Sequence, residues 1–284
     1  MHAMAITLFR KVDLQGAAHP VAGDDSDLKG TPVDRATSSL SMTADADRIL
    51  LFKKTDFDGG VMFRRGVQDV TKMSASSRGG KTGFGNTIAS VRCTPFTVRL
   101  FLNIVAKNDG SFDGFRSADD TQGTATGFDL FPGFIQQTVA IADAIWSPFL
   151  IHLEVAETIL RRSDTLHNMK RELYPLLWKD WQKAAHANVF FVATLHKALG
   201  ICPPAGWGKG AVVVCGAMPD PARAGDTLAH ELGHYFGIGA HEADPANLMT
   251  RESNISAGVM TDKQVEEAHK TLTKHIGRTS LRIG

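Results

Sequence analysis

Cysteine is scarce in this chain. Cys93, Cys202 and Cys215 are its only thiols among 284 residues, too few for a disulfide framework. Cys202 and Cys215 flank a Pro/Gly-rich turn and could pair in an oxidising compartment, the plainer reading being three semi-buried thiols. None of the three sits at a zinc-ligand spacing from another. An excess of one charge is missing too: 31 basic and 30 acidic residues leave +1. With no long run of like charge, nothing argues for nucleic acid or an anionic membrane as partner. Apolar runs stay far short of a bilayer span, so no membrane span is expected. Met1 to Lys11 lacks the apolar stretch and small-residue cleavage site of a secretory signal. The expectation is a protein secreted, or delivered out of the producing cell, by machinery that reads no N-terminal signal.

What is present is enough apolar residue, 43%, to bury at least one substantial core. Residues 1–92 are rich in Gly, Ser, Asp and Thr and read as a leader, docking or pro-region with short strands and a linker. Arg48 to Phe52 and Gly60 to Phe63 are its strand candidates, around the turn Asp58-Gly59-Gly60. Ser74 to Gly85 reads as the linker, and its GGKTG lacks the first glycine of a phosphate loop. No internal repeat is expected. From residue 93 to 284 the texture is that of a separate domain. Thr97 to Val105, Phe149 to Leu160, Asn188 to Leu195 and Ala211 to Cys215 suit strands. Phe134 to Phe149 and Asn168 to Ala187 have helical spacing. A helix capped by Asp226 is expected to run to about Phe236, ended by Gly237, and Thr261-Asp262-Lys263-Gln264 is a capping box opening the last helix.

The chemistry concentrates in His230-Glu231-Leu232-Gly233-His234. Histidines four apart share one helix face and can reach the same ion, and Glu231 lies beside them as a general base for a metal-activated water. Alone, this pattern also arises by chance on a solvated helix. The continuation narrows it: Gly237 breaks the helix so that the chain can turn back, His241 follows, and Met249 comes eight residues later. Three neutral imidazoles leave a fourth tetrahedral position open, the catalytic form of a zinc site. His241 is the preferred third ligand and Asp244 the substitute.

On these residues the chain resembles a metzincin metallopeptidase, whose members share HExxHxxGxxH and a later methionine turn. His241 to Met249 is similar to the matrixin HSxxPxALM, with the same histidine-to-methionine distance. The chain departs from the family in placing three residues, Ile238, Gly239 and Ala240, between its glycine and third histidine. The resemblance implies an α+β fold: a twisted mixed β-sheet with the active-site helix and a small C-terminal subdomain beyond Gly237, preceded here by the partly β N-terminal segment. It implies a zinc endopeptidase with one catalytic Zn2+ held by His230, His234 and His241. Glu231 is then the catalytic base, and Gly237 and Met249 are structural residues near the site. Ala211 to Val214 is the candidate edge strand for an extended protein or peptide substrate.

Two alternatives stay open: a zinc hydrolase acting on cell-wall peptides, and a non-catalytic binding module stabilised by zinc. A compact metallopeptidase without a signal would suit a bacterial effector or toxin, with a secretion apparatus and an immunity or inhibitor protein as partners. Weaker signals remain. Asp109 to Asp120 resembles a calcium loop, with Asp where Glu is usual, and a plain Gly/Asp turn is preferred to a Ca2+ site. Arg92-Cys93-Thr94-Pro95 has a little of a matrixin cysteine switch. His152 and His196 read as core or edge histidines, and His269 and His275 as solvated.

Overall fold

A computed structural model of the chain describes residues 6–43, 48–70, 73, 87–112, 132–196, 198–202, 212–216, 218, 220–251 and 258–275. The chain divides into two units, Met1–Pro95 with Leu272–Gly284, and Phe96–Thr271. The linker expected over Ser74 to Gly85 lies outside the described residues.

The first unit is built on β1 (Ile6–Phe9), β2 (Ala18–Val21), β3 (Ser39–Met42), β4 (Arg48–Phe52), β5 (Val61–Arg65), β6 (Gln68–Val70) and β7 (Ser90–Arg92). Two antiparallel sheets result, in the orders β2-β1-β3-β6 and β5-β4-β7. Their inward residues, among them Ile6, Leu8, Leu40, Met42, Ile49, Leu51 and Val91, form one buried cluster.

Contrary to expectation, this unit contains an internal repeat. Phe9-Arg10-Lys11-Val12-Asp13-Leu14-Gln15-Gly16 and Phe52-Lys53-Lys54-Thr55-Asp56-Phe57-Asp58-Gly59 turn their hairpins in the same way. Positive φ recurs at Asp13 (56°), Leu14 (56°) and Gly16 (81°), then at Asp56 (56°), Phe57 (54°) and Gly59 (85°). One serine braces each turn. Ser39 Oγ donates to the Lys11 carbonyl (2.6 Å) and accepts from Leu14 N–H (3.1 Å). Ser90 Oγ does the same for Lys54 (2.7 Å) and Phe57 (3.2 Å). Each repeat also lends chain to the other sheet: Asp25 bridges Val91, and β6 pairs with β3. The repeat escapes a reading of the sequence because backbone geometry carries it, and only Phe, Lys, Asp and Gly recur in place.

The second unit centres on β8 (Phe96–Ala106), whose partners are β9 (Ile151–Arg162) and β11 (Ala187–Val192). The five-stranded sheet runs β13-β14-β11-β8-β9, with β13 (Gly200–Ile201) and β14 (Val212–Cys215). All neighbours are parallel except β13, which is antiparallel to β14. Every residue of β11 is buried, as an apolar interior strand of a covered parallel sheet requires. The edge strand is therefore β13, not the expected Ala211 to Val214. β14 lies between β11 and β13, as its unbroken Val212-Val213-Val214 suits, and Ala211 lies outside the described residues.

Helices α1 (Pro132–Trp146) and α4 (Pro221–Tyr235) pack on each other, and α4 also contacts β13 and β14. Their approach is close: a Cβ at Gly225 would stand 2.6 Å from Ile141 and 3.0 Å from the Thr138 carbonyl. Trp146 Nε1–H donates to the Ala229 carbonyl across the contact (3.2 Å).

Four further expectations are corrected in this unit. In place of a single helix over Asn168 to Ala187 come β10 (Asn168–Met169), a 3-10 turn and α3 (Tyr174–Asp180), with the short α2 (Asp164–His167) before them. Pro175 lacks an N–H and clashes within a helix interior, so it opens α3 rather than continuing a longer helix. β10 pairs with β12 (Thr194–Leu195), which ends the strand expected over Asn188 to Leu195 at Val192. Asp226 is not a cap: the N-cap is Asp220, which accepts from Arg223 N–H (2.7 Å) with Pro221 in the first turn. His269 is not solvated. It is fully buried on α5 (Asp262–His275), its Nε2 2.6 Å from the Phe149 carbonyl. His275 is exposed, and His152 pairs at the surface with Asp143 (3.0 Å) on edge strand β9.

Candidate metal centre

Helix α4 sets the site. Its last two turns carry His230, Glu231 and His234, and the chain leaves it at Phe236 and Gly237. Gly237 has φ 96°, a conformation open to glycine at little cost, and a Cβ there would meet Thr271 Oγ1 at 2.6 Å. The chain then returns, and the side-chain nitrogens of His230, His234 and His241 fall within 4.8 Å of one another. His234 Nε2 and His241 Nε2 are 3.2 Å apart. Asp244, the substitute ligand, is outside this cluster and accepts from Ala246 N–H (2.9 Å). The additional residue before His241 is taken up without left-handed backbone at Gly239, where a Cβ would meet nothing within 4 Å.

Two of the rings are braced from behind. His230 Nδ1–H donates to the Leu248 carbonyl and His234 Nδ1–H to the Ile238 carbonyl, both at 2.7 Å. With a carbonyl at Nδ1, the proton sits there and Nε2 presents its lone pair to the cluster. Burial lowers the pKa of His230 to about 4, with repulsion from the other two rings added. Burial also lowers His234, and lowers His241 together with His234 and Arg251. All three are therefore neutral near pH 7, as metal ligation requires. This donor set fits zinc: three imidazole nitrogens lie within 4.8 Å of one another, close enough to share one ion.

Against Gly233 of the same helix turn lies Met249, fully buried. A Cβ at Gly233 would fall 2.5 Å from its sulfur, so the glycine within His230–His234 is what admits the methionine. Its turn is held by Asn247, whose Oδ1 accepts from Met249 N–H (2.9 Å). Asn247 and Gln264 exchange side-chain bonds at 3.1 Å each, and Gln264 Oε1 accepts from Thr261 N–H (2.8 Å). The capping box of α5 thus reaches across to the methionine turn. Its Thr-x-x-Gln pattern was legible, and its second partner Asn247 was not.

Glu231 is 8% exposed. Burial raises its pKa to about 8, opposed by the Cys202 backbone N–H that donates to it. Edge strand β13 covers this side chain: a Cβ at Gly200 would meet Glu231 Cγ at 2.7 Å and Thr227 Cγ2 at 2.6 Å. The Cys202 thiol is pushed up by burial and by Glu231. The side chain of Cys215 lies outside the described residues, and so does the bridge considered for it.

The weaker sequence signals lie elsewhere. Asp109 Oδ1 accepts from Ser111 N–H (2.8 Å) in a tight turn, while Asp113 and Asp120 lie outside the described residues. Cys93 follows β7, and its N–H donates to Asp24 Oδ1 (2.6 Å). His196 is exposed beside β12.

No family model and no curated protein matches this chain. Among solved structures it is similar to βγ-crystallins. The βγ-crystallin from Ciona intestinalis is 19% identical, with 31% of this chain and 98% of that chain covered and a TM-score of 0.27. One from an archaeon is 14% identical, with 32% and 99% covered and a TM-score of 0.27. A βγ-crystallin domain from Clostridium beijerinckii is 13% identical, with 31% and 94% covered and a TM-score of 0.25. Scores at this level define no common fold for the chain. Among the described residues, no helix is long and apolar enough to cross a membrane.

Proposed function

We propose that this protein is a zinc-dependent endopeptidase of metzincin type. The observation that carries the reading is the juxtaposition on one helix end of three neutral imidazoles, two of them backed by carbonyls, with a buried carboxylate between the first two in sequence. The sheet order, with four parallel strands and one antiparallel edge strand beside α4, supports it, as does the methionine packed against Gly233.

Zinc at this site supplies a Lewis acid that polarises a carbonyl and makes water a nucleophile near neutral pH. His230, His234 and His241 would hold it, and the Leu248 and Ile238 carbonyls orient the first two rings. Glu231 takes the proton of the attacking water and passes it to the leaving amine. Cys202 N–H and Gly200 fix where the carboxylate stands. Among the described residues β13 pairs only with β14, and its other side offers backbone groups to an extended peptide lying along it.

The test is hydrolysis of casein and of a muropeptide panel by the zinc-loaded full chain, before and after chelation. Casein cleavage that chelation abolishes and zinc restores is the expected result. Cleavage of muropeptides alone moves the substrate to cell-wall peptides, and no hydrolysis of either by zinc-loaded protein leaves the binding-module reading standing.

A further inference from the structure

Resting on that assignment of the three histidines, one of them differs from the others in what stands behind it. His230 and His234 each face a carbonyl oxygen with Nδ1. His241 faces a cation: Arg251 Nε–H donates to its Nδ1 at 3.4 Å. The contact is built in. Glu242 N–H donates to the Met249 carbonyl (2.9 Å), and Glu242 pairs with Thr250 in a parallel bridge, so the strand carrying Arg251 runs directly beside His241.

A neutral imidazole has one N–H and one lone pair. If Nδ1 accepts from Arg251, the proton of His241 sits on Nε2 and points at His234 Nε2, 3.2 Å away. His234 accepts there and donates from Nδ1 to the Ile238 carbonyl. The four groups form one consistently directed chain, from Arg251 through His241 and His234 to Ile238. That chain preforms the cluster, and it leaves His241 with a hydrogen where a metal must bind. Ligation through Nε2 moves that hydrogen to Nδ1, where it meets a guanidinium donor instead of an acceptor.

We propose that Arg251 is a positioning residue that braces His241 in the metal-free chain and holds the zinc affinity of the site below that of three carbonyl-backed histidines. Zinc loading requires the Arg251–His241 contact to be given up, and His241 is the weak ligand of the set. Outer partners of metal-bound histidines change affinity by roughly 10- to 100-fold, which sets the scale of the effect.

The experiment is zinc affinity of the full chain by competition with a chromogenic chelator, comparing wild type with Arg251→Met and Arg251→Gln. Arg251 is exposed, so neither variant threatens the core. Both are expected to bind zinc about 10-fold or more tightly than wild type, with Arg251→Gln the tighter because its amide oxygen can accept the Nδ1 proton. Unchanged or weaker binding in both variants overturns the proposal. A wild type that takes up no zinc at all overturns the assignment of the site itself, which is a separate result.

Discussion

Glu231→Gln is expected to lower casein cleavage by about 100- to 10,000-fold while leaving zinc content at the wild-type level. Gln keeps the shape of the side chain and an oxygen to accept from Cys202 N–H, but it cannot take a proton from water. The carboxylate is outside the histidine cluster, so metal retention is a fair control on the same sample. Gly200→Ala acts on the same group from the outside: its new Cβ pushes on Glu231 Cγ and Oε1, at 2.7 and 2.9 Å. It is expected to reduce turnover in the same direction, less steeply, with zinc kept. Full activity in Glu231→Gln would remove Glu231 from the mechanism.

Gly233→Ala is expected to destabilise the fold by about 1–3 kcal/mol, read as a fall in melting temperature of several degrees. Two effects oppose each other. Alanine in place of glycine inside a helix gains roughly 1 kcal/mol in propensity. Against this, the added Cβ lies 2.5 Å from Met249 Sδ and 3.2 Å from its Cε. Met249 has little room to retreat, being fully buried and tied at N–H to Asn247 and at its carbonyl to Glu242. The steric cost therefore wins. Gly233→Ala combined with Met249→Ala is expected to lose less than the sum of the two single losses, because the two positions are in direct contact. A melting temperature that rises in Gly233→Ala alone contradicts this packing.

What the sequence showed of the site was its local part. Four-residue spacing on a helix brings His230 and His234 together wherever that helix lies, and Gly237 and Met249 stood at readable offsets from them. The position of His241 needed the return of the chain, and the structure places it in the cluster despite the extra residue. The covering of Glu231 was not legible: Gly200 and Cys202 lie about thirty residues earlier, on and just after an edge strand of two residues with no periodic signal. Arg251 likewise draws its interest only from proximity to His241. For the fold, long apolar strands such as β8 and β11 announced themselves, whereas the order of the short ones did not. β14 was expected at the edge because its neighbour β13 is too brief to recognise. Asp226 was the expected cap, yet Asp220 followed by Pro221 carries the stronger start signal.

Zinc stoichiometry, by elemental mass spectrometry on the purified full chain reconstituted with excess zinc and then desalted, tests the central claim most directly. The expected result is about one zinc per wild-type chain, with His234→Ala unable to retain it and His241→Ala weakened. Wild-type protein that retains no zinc, or His234→Ala that retains as much as wild type, contradicts the site at the end of α4.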